Sequence, residues 1–162
     1  MFRLLRPDLE IVPLLGIGPV RLGATRAHAR EAMRRTGFGL ERSADTVDFY
    51  CGASLLTECD DSGYIGFIEV RPTRRFTAKL YDRDVFATPA EELFELAASV
   101  DGSGPHTFDH REYTFPNQIL AMWHADGQYN PSRLRAYPVW GAVGVGNGAY
   151  ATAVAGLTGE EP

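Results

Sequence analysis

Hydrophobic positions change their spacing along this chain, and each change marks an element. Leu93, Leu96, Ala97 and Val100 fall at i, i+3, i+4 and i+7, which puts them on one face of a helix. Its start is marked by Thr88 as N-cap, Pro89 in the first turn and Glu91 completing a Thr-x-x-Glu capping box. Asp101-Gly102 closes it. A weaker copy of the pattern lies earlier. Thr25 caps it, Ala29, Ala32 and Met33 face inward, and Gly37 ends it. After each helix the pattern turns to strands. Residues 47–51, 55–59 and 64–70 read as three strands, divided at Gly52-Ala53 and at Asp61-Ser62-Gly63. Residues 111–115 and 119–124 read as two more, divided at Pro116-Asn117, a good turn start. Residues 134–140 form a third, and Pro138 makes it an edge candidate. A turn and short strand over 16–22 precede the first helix.

These elements repeat. Gly23-Ala24-Thr25-Arg26-Ala27 opens one helix, and Phe86-Ala87-Thr88-Pro89-Ala90 opens the other 63 positions later. Residues 48–63 then align with 112–127 at an offset of 64, which matches Phe49 with Tyr113, Leu55 with Ile119 and Leu56 with Leu120. The reading is a single α+β domain over 1–162. It holds two tandem α-β-β-β pseudo-repeats, about 17–72 and about 80–140, with mostly antiparallel sheet and helices packed on one face. The glycine-rich tail, 141–162, shows no firm period and reads as a terminus or as a strand that gains order by pairing.

Composition narrows the class. With 44% hydrophobic and 23% charged residues, 162 residues can bury one ordinary core. A net charge of −5 argues against a nucleic-acid or anionic-membrane partner, since both need a basic surface. Lys79 is the only lysine, so nearly all positive charge is arginine. Cys51 and Cys59 are too few for a disulfide framework or a four-cysteine zinc site. The first residues lack the apolar run of a signal peptide, and no stretch is long enough for a membrane helix, so a cytoplasmic location is expected.

The stretch Ile17-Gly18-Pro19-Val20-Arg21-Leu22-Gly23-Ala24-Thr25 resembles a GPxRLGxT opening of small actinobacterial proteins. Val85-Phe86-Ala87-Thr88-Pro89-Ala90-Glu91-Glu92-Leu93 looks like a second hallmark of the same group. The Leu-Gly-x-Thr-then-helix part is similar to outer-membrane-assembly lipoproteins of the SmpA/OmlA type. Those pack helices on a three-stranded antiparallel sheet. This chain differs in having two units and no lipoprotein cysteine after a signal sequence. The resemblance implies a protein-binding scaffold, in its concrete form an immunity protein that neutralises a toxin.

Candidate chemistry divides into two sets. His106, Asp109 and His110, with His124 nearby, have the side chains of a metal-dependent or hydrolytic enzyme. They follow Gly102-Ser103-Gly104-Pro105 in a loop-like context, and no metal or cofactor is expected. Cys51 beside His110 or His124 is a formal nucleophile and base, but a strand cysteine more often packs. The glycines of 141–148 lack the Lys-Ser/Thr ending of a phosphate loop. The other set is electrostatic. Asp45, Asp48, Glu58, Asp60 and Asp61 lie between Ser43 and Ser62 with no Arg or Lys among them. Phe49 and Tyr50 sit among these acids. The reading is a non-catalytic protein-binding module whose acidic hairpin docks a basic protein, such as a toxin. Phe49 and Tyr50 are the anchors, and Asp45, Asp48, Asp60 and Asp61 the charge partners. A small-molecule site between the repeats is the further alternative.

Overall fold

The computed structural model describes residues 6–125 and 137–158. Within them lie β1 (Asp8–Val12), β2 (Gly16–Ile17), β3 (Val20–Arg21), α1 (Arg26–Arg35), β4 (Arg42–Ala44), β5 (Val47–Tyr50), β6 (Leu55–Cys59) and β7 (Ile65–Val70). The second part adds β8 (Thr77–Leu80), β9 (Arg83–Asp84), α2 (Ala90–Asp101), β10 (Glu112–Phe115), β11 (Leu120–Trp123), β12 (Ala142–Gly146) and α3 (Gly148–Thr158). The fold is α+β and mostly antiparallel. One sheet has seven strands in the order β10-β11-β12-β7-β6-β5-β4, all antiparallel. The other has the order β3-β2-β1-β8-β9, and its β1–β8 pair is parallel.

Register assigns the two faces of the large sheet, because successive side chains point to opposite sides. One row runs Asp48, Thr57, Ile68, Val145, Leu120, Phe115, and the next runs Tyr50, Leu55, Val70, Val143, Met122, Tyr113. This is the inner face. Phe94 of α2 meets the rings of Tyr113 and Phe115 at 4.9 and 5.2 Å, and α1 lays Ala29 and Met33 into the same core. The outer face carries Phe49, Leu56, Glu69, Gly144, Ala121 and Thr114 in one row, with Glu58, Phe67 and Gly146 beside it.

The start of α1 explains the Leu-Gly-x-Thr motif. Gly23 has φ +83°, a left-handed turn that suits glycine. Its N–H donates to Ile65 O at 2.7 Å, and Ile65 N–H donates back to Ala24 O at 2.7 Å, which pins the turn to β7. Thr25 then caps the helix by accepting from His28 N–H.

The start of α2 corrects the expected capping box. Pro89 occupies the N-cap position and supplies no side-chain bond. Thr88 Oγ1 instead donates to Asp84 O at 2.8 Å, while Asp84 Oδ1 accepts from Phe86 N–H. The first helical N–H, from Ala90, is satisfied from a distance by Pro138 O at 3.0 Å. The helix also turns by one residue from the expected face. Ala90, Leu93, Phe94, Ala97 and Asp101 are buried, and Val100 is 53% exposed.

The expected strand at 134–140 begins outside the described residues, and its remainder is not a strand. Val139 and Trp140 are buried, and Trp140 Nε1–H donates to Ala90 O. The third strand of that half is β12, which falls in the glycine-rich tail. Of the two readings of the tail, the strand ordered by pairing is the one the structure has: β12 pairs centrally with β11 and β7. The helix after it, α3, lies on the outer face, opposite α1 and α2. Helices therefore cover both sides of the sheet, not one. A helix followed by an antiparallel meander occurs twice, as α1-β4-β5-β6-β7 and α2-β10-β11-β12. The offset of 64 is out of step with the sheet, since it aligns outer-face Phe49 with inner-face Tyr113. An offset of 65 aligns inner with inner, as in Tyr50 with Phe115 and Leu55 with Leu120.

Candidate functional site

The acidic hairpin is partly turned inward. Asp48 points to the inner face of β5 and is fully buried. Its carboxylate accepts from Arg26 Nη2 at 2.6 Å and Arg30 Nε at 2.7 Å, both on α1, and from Ser43 Oγ at 2.6 Å. Burial pushes the Asp48 carboxyl up, but the bonds from Arg30, Arg26 and Ser43 outweigh it and hold the group below the usual carboxylate range. The same bonds raise both guanidiniums. Tyr50 is also fully buried, and burial pushes its phenol up to about 12. Neither Asp48 nor Tyr50 can touch a partner on this surface, which corrects their reading as charge partner and anchor. The reason is register: the two sit two residues apart, so both fall on the core side.

The other hairpin candidates are at the surface. Phe49 is half-buried on the outer face, with the Arg42 guanidinium 4.1 Å from its ring centre. Asp45 and Asp61 are exposed, while Asp60 folds back to accept from Ser62 and Tyr64 N–H groups. The two turns that carry them lie at one end of the sheet, joined by the Cys59 N–H to Thr46 O bond.

The histidine set does not assemble. His106 is held by both ring nitrogens, Nδ1 at 2.6 Å from Tyr113 Oη and Nε2 at 3.0 Å from Ser103 Oγ. Ser103 in turn donates to the Asp101 carboxylate. Because Ser103 donates its proton to Asp101, Nε2–H donates to Ser103, and in the neutral ring Tyr113 donates to Nδ1. No lone pair of the imidazole remains for a metal. Asp109 accepts from Arg111 N–H, His110 is exposed, and His124 lines a separate cleft with Glu69, Arg71 and Trp123. Among the described residues, no three His, Cys, Asp or Glu side chains are placed to hold one metal ion. Cys51 and Cys59 are buried thiols, both raised by desolvation, which opposes the thiolate a nucleophile needs. Also among the described residues, no helix is long and apolar enough to cross a membrane.

A site that the sequence reading did not find lies between α3 and the outer face of β10 and β11. It is a groove of about 670 Å³. Thr114 and Ala121, directly opposite each other, form its floor. Phe67, Trp123 and Tyr150 supply its aromatic walls, and Glu112 stands at its rim. Phe67 stacks on Tyr150 at 4.5 Å and meets Trp123 edge-on at 6.0 Å. The glycines of β12 make this arrangement possible. A Cβ on Gly144 would lie 2.4 Å from Phe67 Cζ, and one on Gly146 would lie 2.6 Å from Tyr150 Cδ1. Burial raises the Tyr150 phenol, with smaller contributions from Glu58 and Glu69. The signal in the sequence was the alternation Ala142-Val143-Gly144-Val145-Gly146, small outward and branched inward. Comparison with family models, curated proteins and solved structures finds no match to this chain.

Proposed function

We propose that this chain is a non-catalytic protein-binding module, and that the outer face of its seven-stranded sheet is the contact surface. The observation that carries this reading is the groove under α3, concave, mostly apolar and walled by three aromatic rings. Aromatic side chains at the centre of a concave patch are the usual anchors of a protein interface. Half-buried Phe49 and Leu56 lie farther along the same outer row, beyond Gly144 and Glu69, so one expected anchor stays on the same face. Chemistry points the same way. His106 is used on both nitrogens, and the two thiols are buried. The immunity-type role implied by the sequence resemblance is one form of such a module, with a basic toxin as partner.

The test is capture of partners from a lysate of the native source, identification by mass spectrometry, and reconstitution with the purified partner. Thr114→Phe fills the groove from an exposed floor position with a residue that suits a strand. It is expected to abolish binding while leaving the thermal melt near wild type. Asp61→Lys, on the distant turn, is expected to bind normally. Unchanged binding in Thr114→Phe with loss in Asp61→Lys would move the site to the acidic turns.

A further inference from the structure

Two glutamates, Glu112 in the lining of the groove and Glu58 beside Phe67, give this face a specific chemistry. Glu112 is the direct cross-strand neighbour of Trp123, and Glu58 is the direct cross-strand neighbour of Phe67. Each aromatic wall on the sheet therefore has a carboxylate beside it on the outer face. Four other glutamates have partners: Glu69 pairs with Arg71, Glu31 with Arg34 and Arg35, Glu41 with Arg75, and Glu92 with Arg83, while among the described residues Glu10, Glu91 and Glu95, which lie away from the groove, form no ion pair. Among the described residues, neither Glu58 nor Glu112 has an ion pair or a side-chain hydrogen bond. Neighbouring cations are already engaged. Arg71 is on Glu69, and Arg42 lies over Phe49.

We infer that the groove receives a lysine or arginine side chain of the partner protein, with its aliphatic stem along Phe67, Trp123 and Tyr150 and its charged head at Glu112, the carboxylate that lines the groove. This rests on the reading of the outer face as the contact surface and names what that surface recognises. The physical basis is twofold. An aromatic ring attracts a cation through its negative face, most strongly for tryptophan. A long basic side chain needs apolar surface for its stem and an acceptor for its head, and few other side chains match both. Asp and Glu side chains would be repelled, and a purely aliphatic one would leave Glu112 unpaired. The net charge of −5 adds long-range attraction for a basic partner.

The experiment uses the full chain and three synthetic peptides of one length. One alternates leucine with arginine and lysine, one replaces these with citrulline and acetyl-lysine, and one replaces them with glutamate. Binding is followed by the indole NMR signals of Trp123 and Trp140, of which Trp140 is the buried internal control. The cationic peptide is expected to shift the Trp123 signal, bind tighter than the neutral one, and weaken as salt rises. Glu112→Gln is expected to weaken it by roughly two- to fivefold without affecting the neutral peptide, and Glu58→Gln, outside the groove lining, to change it less. Equal affinity for cationic and neutral peptides would overturn the inference. If both of those still lose binding in Thr114→Phe, the contact-surface reading stands without it. Binding of neither, with no shift at Trp123, would remove both. Dimers that dissociate in Thr114→Phe would assign the groove to a second copy of the chain and overturn the cation.

Discussion

Gly144→Ala tests the packing on which the groove depends. Gly144 sits mid-strand in β12 with extended backbone, so alanine brings no backbone strain there. What it brings is a methyl group 2.4 Å from Phe67 Cζ and 2.8 Å from Cε2, well inside van der Waals contact. Phe67 cannot swing away, because Tyr150 stacks on it and Trp123 abuts its edge. Overpacking of this kind costs about 1–3 kcal/mol. Alanine also stiffens the unfolded chain, which offsets about 0.4–1 kcal/mol. The expected net loss is about 1–2 kcal/mol, or a melting point lower by about 2–8 °C for a domain of this size. The decisive measurement repeats the substitution in a Phe67→Leu background, by urea titration with each background as its own reference. Leucine lacks the two clashing ring atoms. The next nearest atom, Ile68 O at 3.1 Å, asks for a small shift only. In that background Gly144→Ala is expected to be neutral or slightly stabilising, a change of sign. An equal cost in both backgrounds would refute the reasoning, since it would mean that the Phe67 ring does not lie over the glycine.

Three further outcomes follow from the same structure. Asp48→Asn leaves two guanidiniums without their charge partner and is expected to cost about 3 kcal/mol at neutral pH. This is the low end for a broken buried pair, because Arg26 and Arg30 are 27% and 40% exposed. Because the folded-state pKa of Asp48 is depressed, this stabilisation is complete above the ordinary carboxylate pKa of about 4 and fades as pH falls below it. The gap between wild type and Asp48→Asn in denaturant titrations should therefore close in acid, and a gap constant with pH would contradict the ion-pair account. For His106, nitrogen chemical shifts of the neutral ring should report the Nε2–H tautomer, and an Nδ1–H tautomer would reverse the relay through Ser103 and Tyr113. Leu14, exposed and at φ +66° in the β1–β2 turn, should tolerate replacement by glycine with a gain of up to about 1 kcal/mol; a loss on thermal unfolding would show that its side chain packs.

The sequence disclosed what depends on local chemistry. Thr25 at the first helix, the turns at Gly52 and Gly63, and the alternation of β6 all report their own conformation. What stayed hidden depends on partners far along the chain. The N-terminus of α2 looked like a capping box because Thr, Pro and Glu stand at the right spacing, yet its N–H is met by Pro138, 48 positions away. Asp48 looked like surface charge because acids surround it in sequence, but strand alternation turned it to the face where α1 brings two arginines. A single residue of phase separates Asp48 from Phe49, and with it a buried ion pair from an exposed ring. The tail was legible as one of two alternatives, a terminus or a strand that gains order by pairing, and β12 is the second. What the period did not reveal is that a glycine spacing of two is what a central strand needs if aromatic rings must lie flat on one face. In Ala142-Val143-Gly144-Val145-Gly146 the valines belong to the core and the small residues to Phe67 and Tyr150. That alternation is the sequence trace of the groove, so the glycine-rich segment supplies the support for the concave aromatic surface on which the functional reading rests.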